Sequence, residues 1–204
     1  MLESPQPVKK PTFSIGGRGW YVMPGWRNGD RTLDQQITGL ESMRRGLYQP
    51  EGPTTGKSIL ELGAAEGLMS KWFVDVCGAA SVHGVEIIEG HVELGRKWCK
   101  KRPVKLTVAN CDTWRPKQAY DVVVALALLH KLQDPLACLA AVAEAAKEMV
   151  VVRLPSACEP WVITDARTDF KPWDVDRCLR QNGFELVNST MGPFNEPTGF
   201  WRRK

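Results

Sequence analysis

Apolar residues along the chain fall into short unbroken runs, set apart by glycine turns and by stretches with helical spacing. The runs SILEL (58–62), SVHGVEI (81–87), VKLTVA (104–109), DVVVALAL (121–128) and EMVVVRL (148–154) predict five strands. VVVAL and MVVV are apolar at successive positions, the pattern of a strand buried on both faces, as in a parallel sheet. Helical spacing lies between them. Residues 66–77 place Leu68, Trp72, Phe73 and Val76 inward, and 90–101 and the alanine-rich 135–146 follow the same period. A helix over 173–182 stops at Asn182–Gly183, and two further strands, FELVNST (184–190) and GFWRR (199–203), end the chain. Strands alternating with helices predict crossover units and a mainly parallel sheet, α/β in class. The last two strands have no helix between them and read as an antiparallel hairpin at the sheet edge.

Residues 1–56 lack this rhythm and are read as an N-terminal extension or lid before a domain spanning 57–204. Residues 1–12 are rich in proline and lysine. SIGGRGWYVMPGWRNG (14–29) combines five glycines with two tryptophans, a loop composition with large anchors. Asp30 caps an expected helix to about Arg45, with Leu33, Ile37, Leu40, Met43 and Leu47 on one face, and QPEGPTTG (49–56) reads as a linker. Residues 155–172 form a second irregular, proline-bounded segment.

Composition removes several classes. A net charge of +4 and a pI near 8.8 are mildly basic, short of a strong nucleic-acid signature, and Arg202, Arg203 and Lys204 read as a solvated basic end. Six cysteines without any CxxC pair, and only three histidines, suit reduced thiols and leave no metal-site pattern. No apolar stretch has membrane-spanning length and MLESPQPVKKP has no signal-like core, so the expectation is a cytoplasmic protein without a membrane partner.

The most informative stretch is ILELGAAEGL (59–68): a buried strand, a glycine turn, then a helix. Gly63 tolerates the steep exit from the strand, Ala64 and Ala65 admit a ligand to the main chain, and Gly67 keeps the first helical turn close. Open α/β sheets bind ligands at the carboxyl ends of the strands. Glu86 ends the second strand nineteen residues after Gly67, the place of an acid that grips ribose hydroxyls. A dinucleotide fingerprint needs glycine at its third place and glycine or alanine at its sixth; Ala65 and Leu68 stand there instead. Glu61 and Glu66 also suit a cationic ligand better than a diphosphate. An NAD-dependent oxidoreductase is therefore disfavoured.

ELGAAEG resembles the E/D-x-G-x-x-x-G motif of class I (Rossmann-like) S-adenosylmethionine-dependent methyltransferases. The resemblance covers about residues 57–204. It implies a seven-stranded, mostly parallel sheet with helices on both faces and an antiparallel last strand. It implies S-adenosyl-L-methionine as cofactor, with Glu61, Gly63, Ala64, Ala65, Gly67 and Leu68 around the methionine part. Glu86 and Ile87 match the ribose acid and its neighbour. Asn110, Cys111, Asp112 and Thr113 match the adenine segment, and Ala125, Leu126 and Ala127 match the stretch beside the cofactor after the fourth strand.

Methyl transfer is an in-line displacement, so alignment alone accounts for much of the catalysis, and a base is needed only if the acceptor must lose a proton. His130, in LALLHKLQDP, is the candidate base; His83 and His91 read as structural. The ALAL stretch lacks both the N/D-P-P-Y/F/W motif of amino-methyltransferases and a proline–cysteine nucleophile. Trp20, Tyr21, Trp26, Arg27, Arg31 (with Gln35 one turn on), Trp161 and Phe170 are candidates for the substrate wall or lid. WYVMPGW (20–26) and GFWRR resemble segments of uridine-modifying tRNA methyltransferases. The expected acceptor is an oxygen or nitrogen of a small molecule, with RNA as the alternative acceptor and a non-catalytic cofactor-binding subunit as the third reading.

Overall fold

A computed structural model describes residues 37, 39–43, 54–155, 157–158, 162–163, 167–191 and 196–204. The elements run β1 (Ser58–Leu62), α1 (Leu68–Asp75), β2 (Ser81–Glu86), α2 (Glu89–Trp98), β3 (Val104–Val108), β4 (Tyr120–Leu126), α3 (Pro135–Ala145), β5 (Ala146–Arg153), a small ribbon β6 (Ala157–Cys158) and β7 (Val162–Ile163), α4 (Pro172–Gln181), β8 (Phe184–Met191) and β9 (Pro197–Arg203). The sheet order is β3-β2-β1-β4-β5-β9-β8. β1 to β5 are parallel neighbours, and β9 runs antiparallel to both β5 and β8. The expected seven-stranded sheet with an antiparallel last strand is the sheet observed.

Successive strand residues face opposite sides, so each apolar run feeds two cores. Ile59, Val82, Val122, Val124 and Val151 pack with Trp72 and Phe73 of α1. Leu60, Leu62, Val85, Val123 and Val152 pack with Leu139 and Val142 of α3 and Val175 and Leu179 of α4. Leu40 and Met43 also enter the first core, and Thr54 ties down their segment by donating its hydroxyl to the Met43 carbonyl at 2.6 Å. α3 starts cleanly because Asp134 caps the Ala137 N–H at 3.0 Å and Pro135 follows it.

Several expectations are corrected. The single helix to Arg45 does not hold, because Gly39 has φ 83° and, among the described residues, a 3-10 turn, Glu41–Met43, follows it. The helix expected over 66–77 is shorter, and Val76 sits past its end, exposed rather than inward. The final hairpin does form at the sheet edge as expected, with β9 against β5 and β8 outermost. The ribbon β6–β7 was not foreseen. Leu33 and Leu47 lie outside the described residues.

Candidate functional site

The sheet order reverses between β1 and β4, so the chain leaves these neighbouring strands in opposite directions and a crevice opens at their carboxyl ends. The β1–α1 turn stands there. Gly63 and Gly67 have φ 71° and 72°, and Ala65 between them has φ 45°, so three alternate residues adopt the left-handed form. A Cβ on Gly63 would lie 3.1 Å from the Leu128 side chain, which reserves the position for glycine. Gly84, on β2 behind the turn, is also required: its Cβ would fall 2.7 Å from Ala64.

Glu86 holds this turn in place. Its carboxylate accepts the Ala65 N–H at 3.0 Å through Oε2 and the Ile88 N–H at 3.0 Å through Oε1, while its carbonyl takes the Ala109 N–H at 2.9 Å. One residue at the tip of β2 thus joins the turns after β1, β2 and β3. Each carboxylate oxygen keeps a second lone pair for a hydroxyl. Ile87 beside it is an apolar side chain left 58% exposed, a ledge that a flat apolar ligand would cover.

Glu61 is fully buried under the turn and accepts a hydrogen bond from the Ser70 hydroxyl of α1. Burial pushes its carboxyl up to about 8, opposed by the Ser70 bond and helped by Glu86 nearby. Glu66 is also buried, with its Oε1 3.9 Å from Nε2 of His91 on α2. Burial pushes it up to about 7, partly opposed by its own backbone N–H and reinforced by Glu86. Burial lowers the His91 imidazole from its usual range. Glu66 therefore packs between α1 and α2 rather than lying open to a ligand.

The segment after β3 closes on itself. Asn110 Oδ1 accepts the Asp112 N–H at 3.0 Å, and Thr113 donates its hydroxyl to the Asn110 carbonyl at 3.4 Å. Asp112 Oδ1 accepts the N–H groups of Gln133 and Asp134 at 2.8 and 3.4 Å, which staples this loop to the start of α3. Cys111 points into the core beside Cys138, and burial pushes its thiol up to about 12. Ala125 is buried in β4; Ala127, just past Leu126, has φ 55° and gives its N–H to the Arg153 carbonyl at 2.9 Å. His130 lies in the following 3-10 turn, its ring 5% exposed and its carbonyl accepting the Arg167 N–H at 3.0 Å.

Phe170, expected in an open wall, is instead a core residue packed among the α3 and α4 side chains. Trp20, Tyr21, Trp26, Arg27, Arg31, Gln35 and Trp161 lie outside the described residues. Sequence reasoning missed Ser70 as the partner of Glu61 and Arg153 as a buried cation at the carboxyl end of β5, where it donates to Thr198 at 3.2 Å. The signal for Arg153 was available, since it is a charge closing the apolar run MVVV. Two surface hollows lie away from the crevice. One of about 440 Å³ is at the amino ends of β1 and β5, and one of about 630 Å³ lies against β2 and β3. Among the described residues there is no metal-ligating cluster and no helix long and apolar enough to cross a membrane.

A family model described as a methyltransferase domain matches residues 41–188. The chain belongs to this methyltransferase family. Solved structures agree in fold. Magnesium protoporphyrin IX methyltransferase of Synechocystis PCC 6803, with bound S-adenosylhomocysteine, superposes with a TM-score of 0.63 at 16% identity over 74% of this chain and 76% of that one. An S-adenosylmethionine-dependent methyltransferase from Mesorhizobium loti gives 0.61 at 15% identity over 74% and 93%. A chain of the complex containing the Haloferax volcanii Trm112 methyltransferase activator gives 0.66 at 13% identity over 83% and 90%. A search of curated proteins finds no match. The methyltransferase takes its methyl group from S-adenosylmethionine. The residues present fit that molecule: a left-handed glycine turn for close approach, a carboxylate with lone pairs for a diol, and an exposed apolar ledge beside it.

Proposed function

We propose that this methyltransferase transfers the methyl group to an oxygen or nitrogen of a small-molecule acceptor. The observation that carries the reading is the turn 63–67, fixed by the Glu86 carboxylate at the switch point of the sheet. Glu86 takes the ribose hydroxyls, and Ile87 packs beside the nucleoside. Gly63, Ala64, Ala65, Gly67 and Leu68 give the methionine part its close approach, and buried Glu61 supplies the negative partner for its cationic end. Asn110, Cys111, Asp112 and Thr113 border the base, and Ala125, Leu126 and Ala127 border the reacting side.

Bound S-adenosylmethionine supplies a sulfonium-activated methyl group that moves by in-line displacement. The chain's own contribution is alignment: a rigid turn, latched at Ala65 and Ile88, costs little further ordering when the ligand arrives. Where the acceptor must lose a proton, His130, on the turn leaving β4, is the residue assigned to take it. The missing N/D-P-P motif after β4 favours acceptors other than nucleobase or glutamine amides. The magnesium protoporphyrin IX methyltransferase among the structural neighbours favours a small acceptor.

A second reading, RNA as acceptor, is favoured by one observation: residues 96–118 hold eight of the 27 Lys and Arg side chains and one acidic residue. The deciding experiment incubates the protein with methyl-labelled S-adenosylmethionine and fractionated cell extract. Label in the small-molecule fraction is expected. Label only in RNA would replace the first reading with the second, and no transfer to any fraction would favour a non-catalytic role.

A further inference from the structure

The connection from β3 back across the sheet to β4, residues 109–119, contains no helix. On the sheet face that carries α3 and α4, those helices pack over β4, β5 and β8. Past Val85, which joins the α3 and α4 core, the β2 and β3 side chains on that face border a hollow of about 630 Å³. Its floor is built from polar and aromatic side chains. His83 on β2 meets the Tyr120 hydroxyl at 2.5 Å through Nδ1 and the Thr107 hydroxyl at 2.8 Å through Nε2. Both ring nitrogens are engaged, and burial together with nearby Lys105 lowers its pKa, so the imidazole is a neutral scaffold for the floor. Trp114 stands edge-on to that ring at 5.7 Å between centroids, half-buried, with part of its indole open to the hollow.

The rim is cationic. Lys105 and Lys117 are exposed at its edge, and Arg102 completes it while paired with Asp75 at 2.7 Å. The whole chain has a net charge of +4, yet the stretch Arg96–Gln118 alone sets eight cations against Asp112. The rest of the molecule is therefore net negative; of these eight cations Arg102, Lys105 and Lys117 line the hollow, whereas Arg96 and Lys97 belong to α2 on the other side of the sheet. A guarding lysine on an edge strand is a common defence against unwanted pairing. Lys105 alone would serve that purpose; Arg102, Lys117 and the aromatic hollow beside it go beyond it.

We propose that this face docks single-stranded RNA, with phosphates along the Lys105–Lys117 rim and a base against Trp114 in the hollow. Charge complementarity selects a polyanion. The half-open indole over a polar floor selects one whose repeating unit carries a flat ring, since base–aromatic stacking and backbone neutralisation together hold single strands. The face is on the opposite side of the sheet from α1 and α2 and away from the Gly63–Gly67 turn. Docking there does not require that the RNA be the methyl acceptor, so it stands apart from the choice of acceptor made above.

The test is fluorescence anisotropy on the full chain with a short fluorescein-labelled mixed-sequence RNA, titrated at several salt concentrations. Wild-type protein is expected to bind with affinity falling steeply as salt rises, the mark of counterion release. The double variant Lys105→Glu/Lys117→Glu, changed only at exposed positions, is expected to lose at least tenfold in RNA affinity while its melting temperature and S-adenosylhomocysteine affinity stay at wild-type values. Trp114→Leu is expected to lose about tenfold with a smaller change in salt dependence. Absence of RNA binding at low salt, or equal binding by the double variant, would overturn the proposal. So would displacement of the RNA by polyglutamate as effectively as by unlabelled RNA, or binding to anionic vesicles that RNA does not compete away. Unchanged RNA binding in Gly63→Val, which disables the cofactor turn, separates this face from the reading of the crevice.

Discussion

Replacing Glu86 by alanine removes more than a ligand contact. The carboxylate accepts two backbone N–H groups, from Ala65 and Ile88, each at 3.0 Å. Hydrogen bonds to a charged group contribute about 1.5–3 kcal/mol each, and a donor left without a partner adds its own cost. Glu86 is 8% exposed, so water reaching the vacated space recovers part of the loss. The balance is a destabilisation of about 3 kcal/mol for the ligand-free protein, or roughly 6–12 °C in melting temperature for a chain of this size. The turn that Glu86 holds is also the proposed cofactor cradle, so S-adenosylhomocysteine affinity should fall by about 10–100-fold, the range set by losing one such bond to the ribose. Glu86→Gln, which keeps one acceptor oxygen, should lie between. Thermal unfolding and calorimetric titration of the three proteins read both effects separately. A melting temperature within about 2 °C of wild type would refute the latch. A large thermal loss with unchanged ligand affinity would leave the latch standing and refute the ribose assignment.

Gly63→Val forces a β-branched residue into φ 71° and drives its Cβ to 3.1 Å from Leu128; ligand binding should be lost at a stability cost of about 2–3 kcal/mol, measured by the same two assays. Glu66 stays neutral in the fold up to about pH 7 but ionises near 4.5 when unfolded. Its contribution to stability is thus full below 4.5 and lost as pH rises through 7, so Glu66→Gln should flatten the fall in melting temperature between pH 5 and 8, by on the order of 3 kcal/mol at the alkaline end. Parallel curves for the two proteins would refute this. Glu61 is neutral below about pH 8 in the free protein, and a cationic ligand end favours its charged form. S-adenosylmethionine affinity should therefore rise with pH up to about 8 and the rise should vanish in Glu61→Gln; titration in buffers of different ionisation enthalpy would show whether a proton leaves on binding.

The parallel core of this fold was legible because each strand had to be apolar on both faces, and VVVAL and MVVV are too short to be anything but strands buried on both sides. The order of strands within the final hairpin, which the expectation left open, follows from the same rule. In β9, Phe200 and Trp201 are successive and both buried, on opposite faces, whereas β8 leaves Glu185, Leu186, Val187 and Met191 exposed. That contrast, present in the sequence, marks β9 as the inner strand and β8 as the edge. The helix expected to run to Arg45 failed for a different reason: its apolar positions are right, since Leu40 and Met43 are fully buried, but Gly39 turns left-handed at φ 83° and sends them into the core from a turn. Periodicity reported burial correctly and conformation incorrectly.

The site divides along the same line. The geometry of Gly63, Gly67 and Glu86, the residues of the proposed cradle, was legible from spacing, because a steep strand exit and an acid one strand away leave local marks. What makes them a unit is non-local. Ser70 beneath Glu61, the Glu66–His91 approach and the Asp112 staple to Gln133 and Asp134 each join residues whose distance in sequence says nothing about contact. These partners also alter the chemistry that spacing suggested. Of the three acids near the turn, Glu61 and Glu66 are buried with carboxyls that hold their protons toward neutral pH. The Glu86 carboxylate has two backbone N–H groups directed at it. A diol arriving at Glu86 therefore meets an acceptor whose position is already fixed, whereas a cation arriving at Glu61 must displace a proton. On the proposed assignment, the turn is built ready for the sugar and completes its charge only when the ligand's positive end is in place.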